Sequence, residues 1–293
     1  MPEPRTESRH PEAEGLHLRS ADRVLSALLD AQIGALAALH PALPAIEMAA
    51  EAAAAALRAG GRMGYAGAGS SGLMALADCL ELAGTFGLAP AQTPMMFAGG
   101  ADALLHMKGA AEDDARLAIA DLDASGLQSG DVVLVLAASG RTPYALTIAE
   151  QARARGVTVV GFANVPGAPL LEAVDIPVLL DTGPEMVAGS TRMGAATAQK
   201  VALNMLSVLV GIRLGHVHDG YMVNLTADNA KLVERAARIV GDVASVPLAV
   251  AEAALAATQG AVKTAILVAQ GVEPDAARDA LTRSEGHLQP LLK

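Results

Sequence analysis

Apolar residues return along this chain with two different periods. After a polar leader, Val24, Leu25, Leu28, Leu29, Ile33, Leu36 and Leu39 recur at helical spacing. Pro41 to Pro44 then interrupt the pattern, and a second, alanine-rich helix is expected to close at Gly60-Gly61. Beyond that point short apolar runs alternate with helical stretches. Strands are expected at 62–67, near 93–98, and at 131–137, 157–163 and 175–180. Helices are expected from Ser71, through Glu112 to Leu122, from Pro143, and over roughly 193–213. Five strands alternating with helices imply an α/β fold: a five-stranded parallel sheet covered on both faces, three layers in all. A further helix falls at about 227–243, and from Val246 three short helices are separated by Gly260 and Glu273-Pro274. The expected division is 1–60 for the leader and two helices, 61–245 for the sheet domain and 246–293 for a small helical domain.

Composition narrows the choice of partner. The 293 residues are enough for a substantial core, and 31 acidic against 21 basic residues give a formal charge of -10. That balance opposes nucleic-acid binding, and a chain with no Trp, 3 Tyr and 3 Phe has little to stack on bases. Charged or amide residues such as Glu47, Glu51, Asn204 and Arg213 interrupt the long apolar stretches, so no bilayer-spanning run and no membrane partner are expected. The single cysteine, Cys79, excludes an intrachain disulfide and reads as a buried, inert thiol. The first twenty residues are polar and unlike a secretory signal, so a cytoplasmic setting is expected.

Chemistry is concentrated in three loops. Gly67-Ala-Gly69-Ser70-Ser71-Gly72 follows the first strand and opens a helix, where glycines bring backbone N–H groups close to an anion and serine hydroxyls donate further bonds. The stretch also satisfies GxGxxG. A dinucleotide site, however, needs an acid at the end of the second strand, where Phe97-Ala98-Gly99-Gly100 stand instead. A second loop offers Ser139, Arg141 and Thr142, with Thr142 placed as N-cap and Pro143 as the first helical residue, and a third offers Ser190 and Thr191 before the long helix. Helix capping alone favours these residue types. Three such loops at the carboxyl edge of one parallel sheet point to a sugar phosphate. His216 and His218 lack the companions of a metal site, and neither metal nor cofactor is expected.

The pair GAGSSG and ASGRTPY is similar to the sugar isomerase (SIS) domain. The leader Thr6-Glu7, Gly109-Ala-Ala-Glu112-Asp113-Asp114, Gly183-Pro184-Glu185, Gly189-Ser-Thr-Arg-Met193, Thr197-Ala-Gln-Lys200, Leu203-Asn-Met-Leu206 and Asn229-Ala-Lys-Leu-Val-Glu-Arg235 resemble the N-acetylmuramic acid 6-phosphate etherases over nearly the whole chain. The resemblance implies a flavodoxin-like SIS fold and a lyase. In that reaction the sugar opens to its aldehyde, the C2 proton is removed, D-lactate leaves C3 and water adds, giving N-acetylglucosamine 6-phosphate. It implies two catalytic glutamates: Glu112 as base at C2, and Glu81, within Asp78-Cys79-Leu80-Glu81-Leu82-Ala83-Gly84, as proton donor to the lactate and then activator of water. Such domains pair, so a homodimer is expected.

Departures from the family pattern cluster near these residues. Leu73 stands for an arginine, Ala83-Gly84 for a Pro-Pro pair, Gly194 for a lysine, His10 for an asparagine and Asp219-Gly220-Tyr221 for Gly-Asn-Leu. Losing cations weakens recognition of an anion. An aldose-ketose isomerase and a non-catalytic sugar-phosphate-binding regulator are therefore carried as alternatives. Glu81 poses a geometric question as well: ten residues past Ser71 on a helix is about 15 Å along the axis, too far for one small sugar to touch both. Either the helix ends early or Glu81 serves the partner's site.

Overall fold

A computed structural model describes residues 5–107, 109–227 and 229–292. The elements in chain order are α1 (Ala21–Ala35), α2 (Leu39–Arg58), β1 (Met63–Gly67), α3 (Gly69–Phe86), β2 (Met95–Phe97), α4 (Gly100–Leu105), α5 (Ala115–Ser125), β3 (Val132–Leu136), α6 (Pro143–Ala154), β4 (Thr158–Ala163), α7 (Pro169–Ala173), β5 (Ile176–Leu179) and α8 (Gly194–Arg213). After them come the two-residue strands β6 (Val217–His218) and β7 (Tyr221–Met222), then α9 (Ala230–Ala244), α10 (Leu248–Ala257), α11 (Val262–Ala269) and α12 (Pro274–Arg283).

The chain divides into two compact units. The first holds the residues up to Cys79 together with Ala91–Leu206, the second Leu80–Pro90 and everything from Ser207. In the first unit the five expected strands form one parallel sheet in the order β2-β1-β3-β4-β5. Alternate residues explain its burial. Ala66, Val133, Val135 and Val159 share a core with Leu122, Tyr144, Ile148 and Leu170 from α5, α6 and α7. Tyr65, Leu134, Leu136 and Phe162 face the other way and are equally buried, on the side where α2 presents Ala49, Ala50 and Ala53 with no exposed surface. Small alanines let that helix lie close to the sheet.

Pro41 and Pro44 do not break the second helix. α2 begins at Leu39 and contains both, and the interruption falls earlier, in a 3-10 turn at Leu36–Ala38. Pro41 sits in the first turn, where its missing N–H has no partner to lose, so only Pro44 forfeits a helical bond. The expectation that polar residues interrupt every long apolar stretch needs a second correction. By length and hydropathy alone, Ala21–Arg58 and Gly194–Arg213 are each long and apolar enough to cross a membrane. α8, however, buries Ala195, Ala198, Ala202, Leu203 and Leu206 within the fold.

In the second unit β6 and β7 form an antiparallel hairpin. α9 contributes Ala236, Ala237, Ile239 and Val240 to a core completed by Ala251, Leu255, Ile266, Leu267 and Ala277 of α10, α11 and α12.

Candidate active site

The strand order reverses direction between β1 and β3, and in open parallel sheets that reversal opens a crevice at the carboxyl edge. Gly67 and Leu136, the last residues of the two strands, are register partners, so the loops that follow start side by side. The first loop is almost absent because two glycines remove it. A Cβ on Gly67 would lie 2.9 Å from the Cα of Gly72, and one on Gly72 would meet the Gly67 carbonyl oxygen at 2.8 Å. α3 therefore begins directly above the strand end, with Ser70 and Ser71 in its first turn, where backbone N–H groups lack helical partners. Ser71 is buried, and Gly69 and Ser70 are half-buried.

The second loop is a tight turn in which Gly140 N–H donates to the Ala137 carbonyl at 2.9 Å. Gly140 has φ +60°, and a Cβ there would sit 2.5 Å from that of Ala168, so the turn requires glycine. Ser139 Oγ accepts from Arg141 N–H at 3.2 Å. Thr142 occupies the N-cap position of α6 and Pro143 the first helical position, as expected, yet the threonine side chain makes no capping bond. Capping thus leaves that hydroxyl uncommitted. Two helix N-termini, those of α3 and α6, come together at the β1/β3 crevice.

Glu112 joins this pair. The helix expected to open at Glu112 instead starts at Ala115, behind an Asp114 N-cap whose Oδ1 accepts from Arg116 and Leu117 N–H at 2.9 and 3.1 Å. Glu112 lies in the preceding 3-10 helix, Gly109–Asp113. Its Oε1 is 3.0 Å from the place a Cβ on Gly69 would take, so the carboxylate rests against the first loop. Burial, and then the neighbouring charge of Asp113, push its pKa above the usual carboxylate range.

The third loop differs. The first amides of α8, Gly194 and Ala195, donate to the buried carboxylate of Glu185 at 2.9 and 2.8 Å. This helix terminus is closed by the chain's own anion, and sequence reasoning missed it because the cap lies nine residues ahead of the helix. A Cβ on Gly194 would come within 3.1 Å of Glu185 Oε2 and of the Ala35 Cβ, so the lysine expected by resemblance has little room. Ser190 and Thr191 are half-buried, and the Ser190 and Thr191 carbonyls accept from Met193 and Ala196 N–H.

Glu81 is exposed, and α3 runs unbroken through Phe86. An early helix end is thereby excluded. The structure gathers the first two loops and Glu112 but does not bring Glu81 to Ser71, from which about ten helical rises of 1.5 Å separate it. Cys79 is buried and its thiol donates to the Thr93 carbonyl at 3.2 Å, with burial pushing its pKa up to about 11. It is the inert thiol expected.

Comparison with known proteins agrees with this geometry. The SIS domain family model matches residues 35–164, a span that contains both glycine-rich loops, Glu81 and Glu112. The N-acetylmuramic acid 6-phosphate etherase of Deinococcus radiodurans is 43% identical over 98% of this chain and 95% of its own length. That of Aeromonas hydrophila is 45% identical over 86% of this chain and 85% of its own. The chain belongs to this etherase family. Among solved structures, a phosphoheptose isomerase from Francisella tularensis superposes with TM-score 0.50 at 20% identity, covering 66% of this chain and 99% of its own. A Bacteroides fragilis protein ascribed to phosphosugar isomerisation reaches 0.54 at 20%, covering 69% and 95%. At that identity the two structures attest the SIS fold, and the etherase family membership rests on the closer relatives.

Proposed function

We propose that the chain is a carbon-oxygen lyase that cleaves the D-lactyl ether of N-acetylmuramic acid 6-phosphate, giving N-acetylglucosamine 6-phosphate and D-lactate. The observation that carries this reading is near-full-length kinship with a protein named for that substrate. The site geometry supports it. The phosphate would lie between the N-termini of α3 and α6, held by their amides and by the hydroxyls of Ser70, Ser71, Ser139 and Thr142. Arg141, Ser190 and Thr191 would line the same edge, and the sugar would extend toward Glu112.

Opening the ring to the aldehyde acidifies the C2 hydrogen, and Glu112 takes that proton. A carboxylate with a raised pKa is a stronger base than an ordinary one. The C3–O bond then breaks, its electron pair leaves on the lactate oxygen, and Glu81 supplies the proton. Water activated by the same carboxylate adds to C3, and C2 regains a proton. Elimination followed by hydration leaves the overall oxidation state unchanged, so the sequence calls for no redox cofactor. Because α3 carries Glu81 far from Ser71, we assign Glu81 to the site of the second subunit in a homodimer. A phosphorylated amino sugar from cell-wall turnover, retained in the cytoplasm, is the substrate this reading implies.

Incubation with N-acetylmuramic acid 6-phosphate and an enzymatic assay for D-lactate tests the activity. In deuterated buffer Glu112→Gln should suppress exchange at C2, whereas Glu81→Gln should retain exchange while releasing no lactate. Turnover to a ketose without lactate would replace this reading with an isomerase.

A further inference from the structure

One buried asparagine ties together the loops at the carboxyl edge. Asn164 directly follows β4 and has no exposed surface. Its backbone N–H donates to the Ala138 carbonyl at 2.8 Å, at the root of the loop that carries Ser139, Arg141 and Thr142. Its side-chain Nδ2 donates to the Leu180 carbonyl at 3.0 Å and to Thr182 Oγ1 at 3.4 Å, both just beyond β5. Its Oδ1 accepts from Gln199 Nε2 at 2.9 Å, and Gln199, on α8, is fully buried as well. The end of β4, the loop after β3, the loop after β5 and α8 are thus joined through a single residue.

The network also carries a cost. Gln199 Oε1 is buried and has no donor among the described residues. Two apolar side chains of similar shape would fill the same space without an unsatisfied acceptor, so core packing alone does not account for the amides. Hydrogen bonds of this kind fix direction where dispersion contacts do not, and the side-chain bonds here fix Leu180 and Thr182 on one side and α8 on the other, bracketing the loop that carries Ser190 and Thr191.

We infer that Asn164 and Gln199 are positioning residues for sugar-phosphate recognition: they hold the two ends of the loop between β5 and α8 in the conformation that presents Ser190 and Thr191 at the carboxyl edge. The inference rests on the lyase reading above and adds to it two residues that touch no substrate. The Asn164 side chain acts through its bonds to Leu180 and Thr182, and Gln199, on α8, acts through Asn164.

The test uses the full chain with Asn164→Ala, Asn164→Asp and Gln199→Met. Each is compared with wild type in Tm, in the calorimetric Kd for N-acetylglucosamine 6-phosphate, and in kcat and KM for D-lactate release. Asn164→Ala should raise Kd and KM by about tenfold while kcat falls by less than about threefold, the signature of lost ground-state binding. Asn164→Asp keeps the acceptor for Gln199 but loses the donor to Leu180, and should fall between wild type and Asn164→Ala. Gln199→Met removes only the bond to Asn164 Oδ1 and should show the same split at smaller size; it decides the matter if Asn164→Ala fails to accumulate. Variants with lowered Tm but wild-type Kd and KM would overturn the inference, leaving the pair a purely structural one. A wild-type chain that binds no N-acetylglucosamine 6-phosphate would be recognised first, and would bring down the lyase reading together with the positioning role.

Discussion

Glu112 owes its chemistry to its immediate neighbours. Burial against Gly69 raises its pKa first, and the adjacent Asp113 charge raises it further. A base must be ionised to act, so the acid limb of kcat should lie above the usual carboxylate range and fall away as pH drops through the raised value. Asp113→Asn removes the like charge and should move that limb to lower pH, which a pH profile of lactate release reads directly. On the phosphate side, Ser71→Ala and Ser139→Ala should each weaken sugar-phosphate binding by about 1 to 3 kcal/mol, the size expected when a hydrogen bond to a charged group is lost. Calorimetry with unchanged affinity in both would remove the cradle. These residues were legible because glycine and hydroxyl spacing after a strand has a local cause. Glu185, by contrast, reaches the α8 amides from across a loop, and Asn164 meets Gln199 across 35 positions, so no local pattern announces either.

The elements are more legible in the chain than their ends. All five strands fell where short apolar runs stand between turn residues, because buried parallel strands have no polar face to blur them. Boundaries slipped where one residue type can serve two purposes. Pro41, expected as a breaker, fits the first turn of α2, Pro44 lies inside that helix, and the acids expected to open α5 divide between a 3-10 helix and its Asp114 cap. His216, just before the hairpin strand β6, is half-buried. Burial, and next the Lys263 ammonium, lower the His216 pKa from 6.5 to about 4. The folded state thus holds this imidazole neutral. Its contribution, up to roughly 3 kcal/mol, is fully present above pH 6.5 and lost as pH falls toward 4, because only the unfolded chain gains the proton in that window. Urea unfolding followed by circular dichroism should show this slope, and His216→Gln should flatten it.

At the scale of the whole molecule, the separation of Glu81 from Ser71 and the outer face of α1 both favour the proposed homodimer. Leu25, Leu29 and Ile33 stand four residues apart and are 67%, 58% and 58% exposed, an apolar stripe that a second copy would cover. Leu29→Glu should convert a dimer to monomers in analytical ultracentrifugation and abolish lactate release with little loss of Tm. Mixing Ser71→Ala and Glu81→Gln subunits should restore about half the activity per hybrid dimer, since two-fold symmetry leaves one of two shared sites intact. Verified hybrids with no recovered activity would place both residues in one subunit's site. Cys79, finally, makes the protein its own stopwatch. A lone thiol that is buried, bonded to the Thr93 carbonyl and held protonated reacts with an alkylating reagent only during moments when its surroundings open. Labelling in native buffer would therefore time the rare excursions of the sheet-bearing unit, one carboxamidomethyl mark per molecule, without any engineered probe.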